Sequence, residues 1–67
     1  MVLNFDNIAL DDDNDLTGTV LLSDGYTLEF SASPSFCYVY NIASYSEKQA
    51  NKIREAIKSY VRNYFKK

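Results

Sequence analysis

The apolar positions of this chain alternate along residues 2–42 and then change to a helical period beyond residue 46. The clearest alternation lies in TGTVLLSDGYTLEFSA, Thr17 to Ala32, where Tyr26, Leu28 and Phe30 take turns with Thr27, Glu29 and Ser31. Period-two alternation marks a half-buried strand. Asp24-Gly25 is a two-residue hairpin signal, because a type I′ turn needs positive φ at both central positions. Such a turn sets Leu21 opposite Leu28 and Thr19 opposite Phe30, and it sends Val20 and Leu22 to the other face beside Glu29 and Thr27. Apolar side chains are therefore expected on both faces of the sheet.

Upstream, Leu3 to Leu10 reads as a first strand whose apolar phase shifts between Phe5 and Ile8, which predicts a bulge near Asp6-Asn7. The run DDDND, Asp11 to Asp15, joins it to the second strand. SASPS is a turn around Pro34. FCYVYNI, Phe36 to Ile42, reads as a fourth strand, with Phe36, Tyr38, Tyr40 and Ile42 on one side and Cys37 and Val39 on the other.

The last segment predicts a helix over 47–66. Ser46 and Gln49 form a capping box, and Ala50, Ile53, Ile57, Tyr60, Val61, Tyr64 and Phe65 recur at helical spacing. They span an arc of about 140° at about 100° per residue. Lys48, Lys52, Lys58, Arg62 and Lys66 fall opposite, and Arg54 sits at the border of the apolar arc. The expected fold is α+β: an antiparallel meander of three to four strands, about 2–42, with one C-terminal amphipathic helix packed on one face. Residues 1–67 are expected to form a single domain.

A helix of about 20 residues is about 30 Å long, against about 23 Å for a seven-residue strand. Its last turn, with Arg62, Tyr64, Phe65 and Lys66, then either overhangs the sheet or packs at its edge. Aromatic residues beside arginine are common in interface cores.

Composition narrows the chemistry. The chain has 67 residues, 46% of them hydrophobic and 15% aromatic, which suits a folded core rather than disorder. A domain this small is marginally stable and needs a dense core or a partner. The single cysteine, Cys37, excludes an intramolecular disulfide. No apolar run is long enough to span a membrane. MVLNFDN carries neither the basic region nor the apolar core of a secretion signal, so a cytoplasmic location is expected.

Charge is segregated. All seven Lys and Arg side chains, Lys67 included, lie in residues 47–67 with only Glu47 and Glu55 for company. Residues 1–46 carry seven acidic side chains and no cation, while the net charge is only −2. Such asymmetry between halves is a hint of charged partners. Lys66 and Lys67 also suit the negative end of the helix dipole.

Catalysis finds little support. Histidine is absent, so Ser-His and Cys-His arrangements cannot form. Cys37 sits mid-strand among aromatics, as an unreactive buried thiol does. Two glycines, Gly18 and Gly25, cannot build a phosphate-cradling loop. Asp11, Asp13 and Asp15 begin a calcium-loop pattern that then fails, with Leu16 and Leu22 where Gly and Glu are required. No cofactor and no metal site is expected.

The residues point instead to a non-enzymatic protein-binding module. Its expected surfaces are the acidic loops, Asp11, Asp12, Asp13, Asp15, Asp24 and Glu29, and the helix end, Lys58, Arg62, Tyr64, Phe65 and Lys66. The acidic set suits a basic, nucleic-acid-binding protein as partner, in the manner of the small inhibitors made by phages and mobile elements against host proteins; a phage-encoded chain would then act in the host cytoplasm. Homodimerisation through the uncovered sheet face is a further expectation. The alternative is a nucleic-acid accessory protein that uses the basic helix face, against which stands the sequence pI of about 4.8.

Overall fold

A computed structural model describes residues 1–66. Lys67, which was assigned above to the helix dipole, lies outside the described residues. Strands β1 (Val2–Leu10), β2 (Leu16–Leu22), β3 (Thr27–Ser33) and β4 (Phe36–Val39) form one antiparallel sheet in the order β1-β2-β3-β4. A single 3₁₀ turn, Ile42–Ser44, leads into helix α1, Glu47–Phe65. The expected α+β meander with one C-terminal helix on one face is the observed architecture. No helix among the described residues is long and apolar enough to cross a membrane.

The register of the central hairpin differs from the expected one by one residue. Val20 faces Leu28, Gly18 faces Phe30 and Leu21 faces Thr27. The cause is the loop. The Tyr26 carbonyl accepts from the Leu22 N–H at 2.9 Å, and the Leu22 carbonyl accepts from the Gly25 N–H at 3.0 Å, which leaves Ser23, Asp24 and Gly25 as a three-residue connection. Gly25 alone in this loop is left-handed, at φ 90°. A type I turn closed by a left-handed glycine replaces the type I′ turn, which needs positive φ at Asp24 as well.

A one-residue slip exchanges the faces. Val20 and Leu22 therefore join Leu28 and Phe30 under the helix, and Leu21 points outward at 37% exposure. The inner face holds Leu16, Val20, Leu22, Leu28, Phe30, Ala32 and Val39, sealed by Ala50, Ile53, Ile57 and Val61 of α1. The outer face carries Thr17, Thr19, Leu21, Thr27, Glu29 and Ser31. The outer face is mixed: hydroxyls dominate β2 and β3, while Leu21 and, on β4, Phe36 and Tyr38 keep exposed apolar surface there.

The bulge predicted in β1 is present. Pairing jumps between Asp6–Thr19 and Ala9–Thr17, with Asn7 left-handed at φ 55°. A second irregularity falls at Leu3, between the Val2 and Asn4 pairings. The extra residue after Asp6 lets Phe5 and Ile8, three positions apart, both pack against the core. β4 stops at Val39 rather than reaching Ile42, because Asn41 at φ 63° turns the chain into the 3₁₀ segment. Its alternation is as expected: Val39 is buried, Cys37 is half-buried, and Phe36 and Tyr38 are exposed.

Helix α1 starts on the predicted capping box. Ser46 Oγ accepts from the Gln49 N–H at 3.2 Å, and Gln49 Oε1 accepts from the Ser46 N–H at 3.4 Å. At the far end Phe65 packs against the core, while Tyr64 remains 42% exposed.

Candidate functional site

Helix α1 runs along the inner face from one end of the sheet to the other. Near its start, Gln49 shares a concavity with Asp24 and Tyr26 at the β2–β3 turn. At its end, Arg62, Asn63, Phe65 and Lys66 gather around Pro34 at the β3–β4 turn. One flank of the helix thus follows β4, and on that flank Arg54, Lys58 and Arg62 succeed one another every four residues. With Ser33, Pro34, Ser35, Phe36 and Cys37 they line a groove of about 340 Å³.

The groove is polar as well as positive. The Ser33 and Ser35 hydroxyls lie 3.1 Å apart, and the Ser35 N–H donates to Ser33 Oγ at 3.2 Å, which shapes the turn over Pro34. Arg54 Nη2 donates to the Asn51 side-chain oxygen at 2.8 Å, an amide partner that leaves the guanidinium charge uncompensated by that bond. Burial pushes the Cys37 thiol up from its ordinary pKa, and the nearby Lys58 and Arg54 offset only part of that rise. The thiol therefore stays protonated near neutral pH, as expected for an unreactive cysteine.

β4 is also an open edge of the sheet. The Tyr40 N–H donates to the Glu29 carbonyl at 2.9 Å, which makes Tyr40–Glu29 a hydrogen-bonded pair. Hydrogen-bonded pairs alternate along an antiparallel ladder. Phe36 and Tyr38 thus bond to β3, while the N–H and C=O groups of Cys37 and Val39 point away from it. Val39 is nonetheless only 4% exposed and Cys37 is half-buried, so little of this edge is open beside the row of cations.

Of the residues predicted on the helix, Lys58 and Arg62 line this groove. Arg62, Phe65 and Lys66 line its neighbour of about 420 Å³ around Pro34. Tyr64 lies apart, exposed and edge-to-face with Phe65 at 5.4 Å between ring centroids. Sequence reasoning missed Arg54, Ser33, Ser35 and Cys37 as groove residues. The four-residue spacing of Arg54, Lys58 and Arg62 was visible, but Arg54 sits at the border of the apolar arc and was not grouped with the helix-end residues.

The acidic residues do not all converge on one surface. Asp11, Asp12, Asp13 and Asp15 occupy the β1–β2 turn, where Asp11 Oδ1 accepts from the N–H groups of Asp13 and Asp15 at 2.9 Å each. This winding brings the carboxylates of Asp11, Asp13 and Asp15 within 4.8 Å of one another. Partial desolvation, then repulsion from Asp11 and Asp13, raises the Asp15 pKa. Asp24 lies at the opposite end of the sheet, accepting from the Tyr45 hydroxyl and the Tyr26 N–H at 3.0 Å each. Glu29 is on the outer face, where it shares a shallow concavity of about 520 Å³ with Asp11, Thr17, Thr19, Ser31 and Tyr40.

Comparison of the chain with protein-family models, curated proteins and solved structures finds no match in any of the three. The functional reading therefore rests on the geometry above: three cations about 6 Å apart in rise along a helix, with hydroxyl groups at one end of their groove.

Proposed function

We propose that this chain is a non-catalytic protein-binding module whose recognition surface is the Arg54–Lys58–Arg62 groove and whose partner presents acidic side chains. The observation that carries this reading is the alignment of three cations on the helix flank facing β4. The acidic residues, read from sequence as the surface for a basic partner, are divided among two turns and the outer face. A ligand touching the acidic turn at one end has to span about 23 Å, the length of a seven-residue strand, to reach Asp24 at the other. The basic residues, by contrast, act on one ligand at once.

Nucleic acid also offers anions to such a row. The net charge of −2 opposes approach of a polyanion to the molecule as a whole, whereas a short acidic segment meets only the local field. Calorimetric titration with a glutamate-rich peptide and with a single-stranded oligonucleotide of equal charge, at physiological ionic strength, separates the two. The peptide should bind, and paired Arg54→Gln and Arg62→Gln substitutions should weaken it about tenfold or more, the loss of about one charge-assisted hydrogen bond. Tighter binding of the oligonucleotide would overturn the protein-binding reading.

A further inference from the structure

Resting on that protein-binding reading, we infer what the partner presents at one end of the groove: the Pro34 end takes the phosphate of a phosphorylated side chain, with carboxylates lying along Lys58 and Arg54. Arg62 anchors that end. It lies beside Pro34 in the groove of about 340 Å³ and again in the neighbouring concavity, where Lys66 joins it. Among the described residues, no carboxylate lines either one.

Hydrogen-bond donors favour a phosphate over a carboxylate here. Ser33 Oγ accepts from the Ser35 N–H at 3.2 Å, and the two hydroxyls lie 3.1 Å apart. One hydroxyl proton fills that contact, and the other has no acceptor among the described residues. Both serines line the groove, so this end offers a hydroxyl donor besides the guanidinium. A guanidinium engages two oxygens side by side. That occupies both oxygens of a carboxylate. A phosphate monoester carries about −1.5 to −2 charge near neutral pH and keeps a third terminal oxygen for the hydroxyl. Pro34 and Phe36, the latter 45% exposed, add an apolar wall for the carbon stem that a free phosphate ion lacks.

Lys58 and Arg54 follow Arg62 at about 6 Å and about 12 Å of rise. The Arg54 bond to Asn51, at 2.8 Å, holds one edge of its guanidinium before any ligand arrives. These two positions suit single carboxylates on either side of the phosphorylated residue. The acidic β1–β2 turn lies at the same end of the sheet as Pro34, because turns alternate along a meander. Two strand spacings, about 10 Å, separate the two turns. Physiological salt screens charges beyond about 8 Å, so repulsion from the acidic turn reaches the phosphate only in part.

The test titrates the full chain calorimetrically, at physiological ionic strength, with a peptide whose central phosphoserine has two glutamates on each side. The same peptide with glutamate at the centre, and inorganic phosphate alone, are the comparisons. The phosphoserine peptide should bind at least about tenfold tighter than the glutamate peptide. Arg62→Gln, and separately the paired Ser33→Ala and Ser35→Ala substitutions, should remove most of that preference, whereas Arg54→Gln should weaken both peptides alike. Equal affinity of the two peptides would overturn the phosphate end while leaving an acid-binding groove. So would a preference that survives Arg62→Gln or the paired serine substitutions, or one lost equally in Arg54→Gln. Inorganic phosphate binding as tightly as the phosphoserine peptide would overturn it too, by showing that the side-chain stem contributes nothing. Failure of both peptides to bind, or binding unaffected by Arg54→Gln, Lys58→Gln and Arg62→Gln together, would instead overturn the protein-binding reading itself. Circular dichroism checks that each variant is folded.

Discussion

Phe5 of β1 and Tyr60 of α1 stack with ring centroids 4.2 Å apart and 16° between their planes, and Phe5 also meets the edge of Phe30 at 6.0 Å. The first strand and the last helix are joined by this contact across a meander whose other contacts are mostly between neighbours in sequence. A double-mutant cycle on Phe5→Leu and Tyr60→Leu, followed by chemical denaturation, should show a coupling of about 0.5–1.5 kcal/mol. Additive losses would mean that the stack contributes nothing beyond the burial of each ring.

The hairpin register predicts opposite outcomes for adjacent leucines. Leu22 is fully buried and Leu21 is 37% exposed. Leu22→Ala should cost about 2–5 kcal/mol, and Leu21→Ala clearly less. Urea unfolding compares them directly. The two-residue turn expected from Asp24-Gly25 predicts the reverse order, so a larger loss at Leu21 would restore the other register.

Gly18 is required for space. A Cβ there would lie 2.5 Å from Ile8 Cδ1 and 3.1 Å from the Asp6 carbonyl oxygen and from Phe30 Cε2. The backbone oxygen and the packed ring cannot both give way cheaply. Gly18→Ala should cost about 1–3 kcal/mol, each kcal/mol lowering Tm by about 4–8 °C in a domain of this size. Gly25 meets nothing within 4 Å, and Gly25→Ala should lose only the left-handed strain of about 1 kcal/mol. Thermal melts rank the two.

Asp15 links stability to pH. Its folded pKa is raised above the ordinary carboxylate value, so the folded chain holds the proton more tightly than the unfolded one. Its ionised form therefore disfavours the fold, and that penalty sets in as pH rises through the carboxylate range and persists at neutral pH. Asp15→Asn should raise the urea midpoint at neutral pH, and the gain should disappear below the ordinary carboxylate pKa. A gain that survives in acid would place the effect outside charge repulsion.

Features that depend on a few neighbouring residues were legible in the chain. The capping box lies within Ser46 to Gln49, the helix stripe repeats every turn, and the β4 alternation and the β1 phase shift each involve adjacent positions. The helix cations were legible too, as was their four-residue spacing. Their meaning was not, because a groove needs a second wall. That wall is the Ser33–Cys37 segment, which only the packing of α1 along β4 brings beside Arg54, Lys58 and Arg62.

The hairpin register belongs to the tertiary structure for a different reason. Asp24-Gly25 suits both a two-residue and a three-residue loop, which differ in whether Asp24 and Gly25 both adopt positive φ or Gly25 alone does. Burial decides between them: α1 covers one face, and only the three-residue loop puts Val20, Leu22, Leu28 and Phe30 together beneath it. The separation of Asp11, Asp12, Asp13 and Asp15 from Asp24 follows instead from the meander, which puts successive turns at opposite ends of the sheet. Local patterning settles which elements form, because propensity and capping act over a few residues. Which side chains share a face or a groove is settled by the packing of distant segments, where one residue of slip reverses the answer.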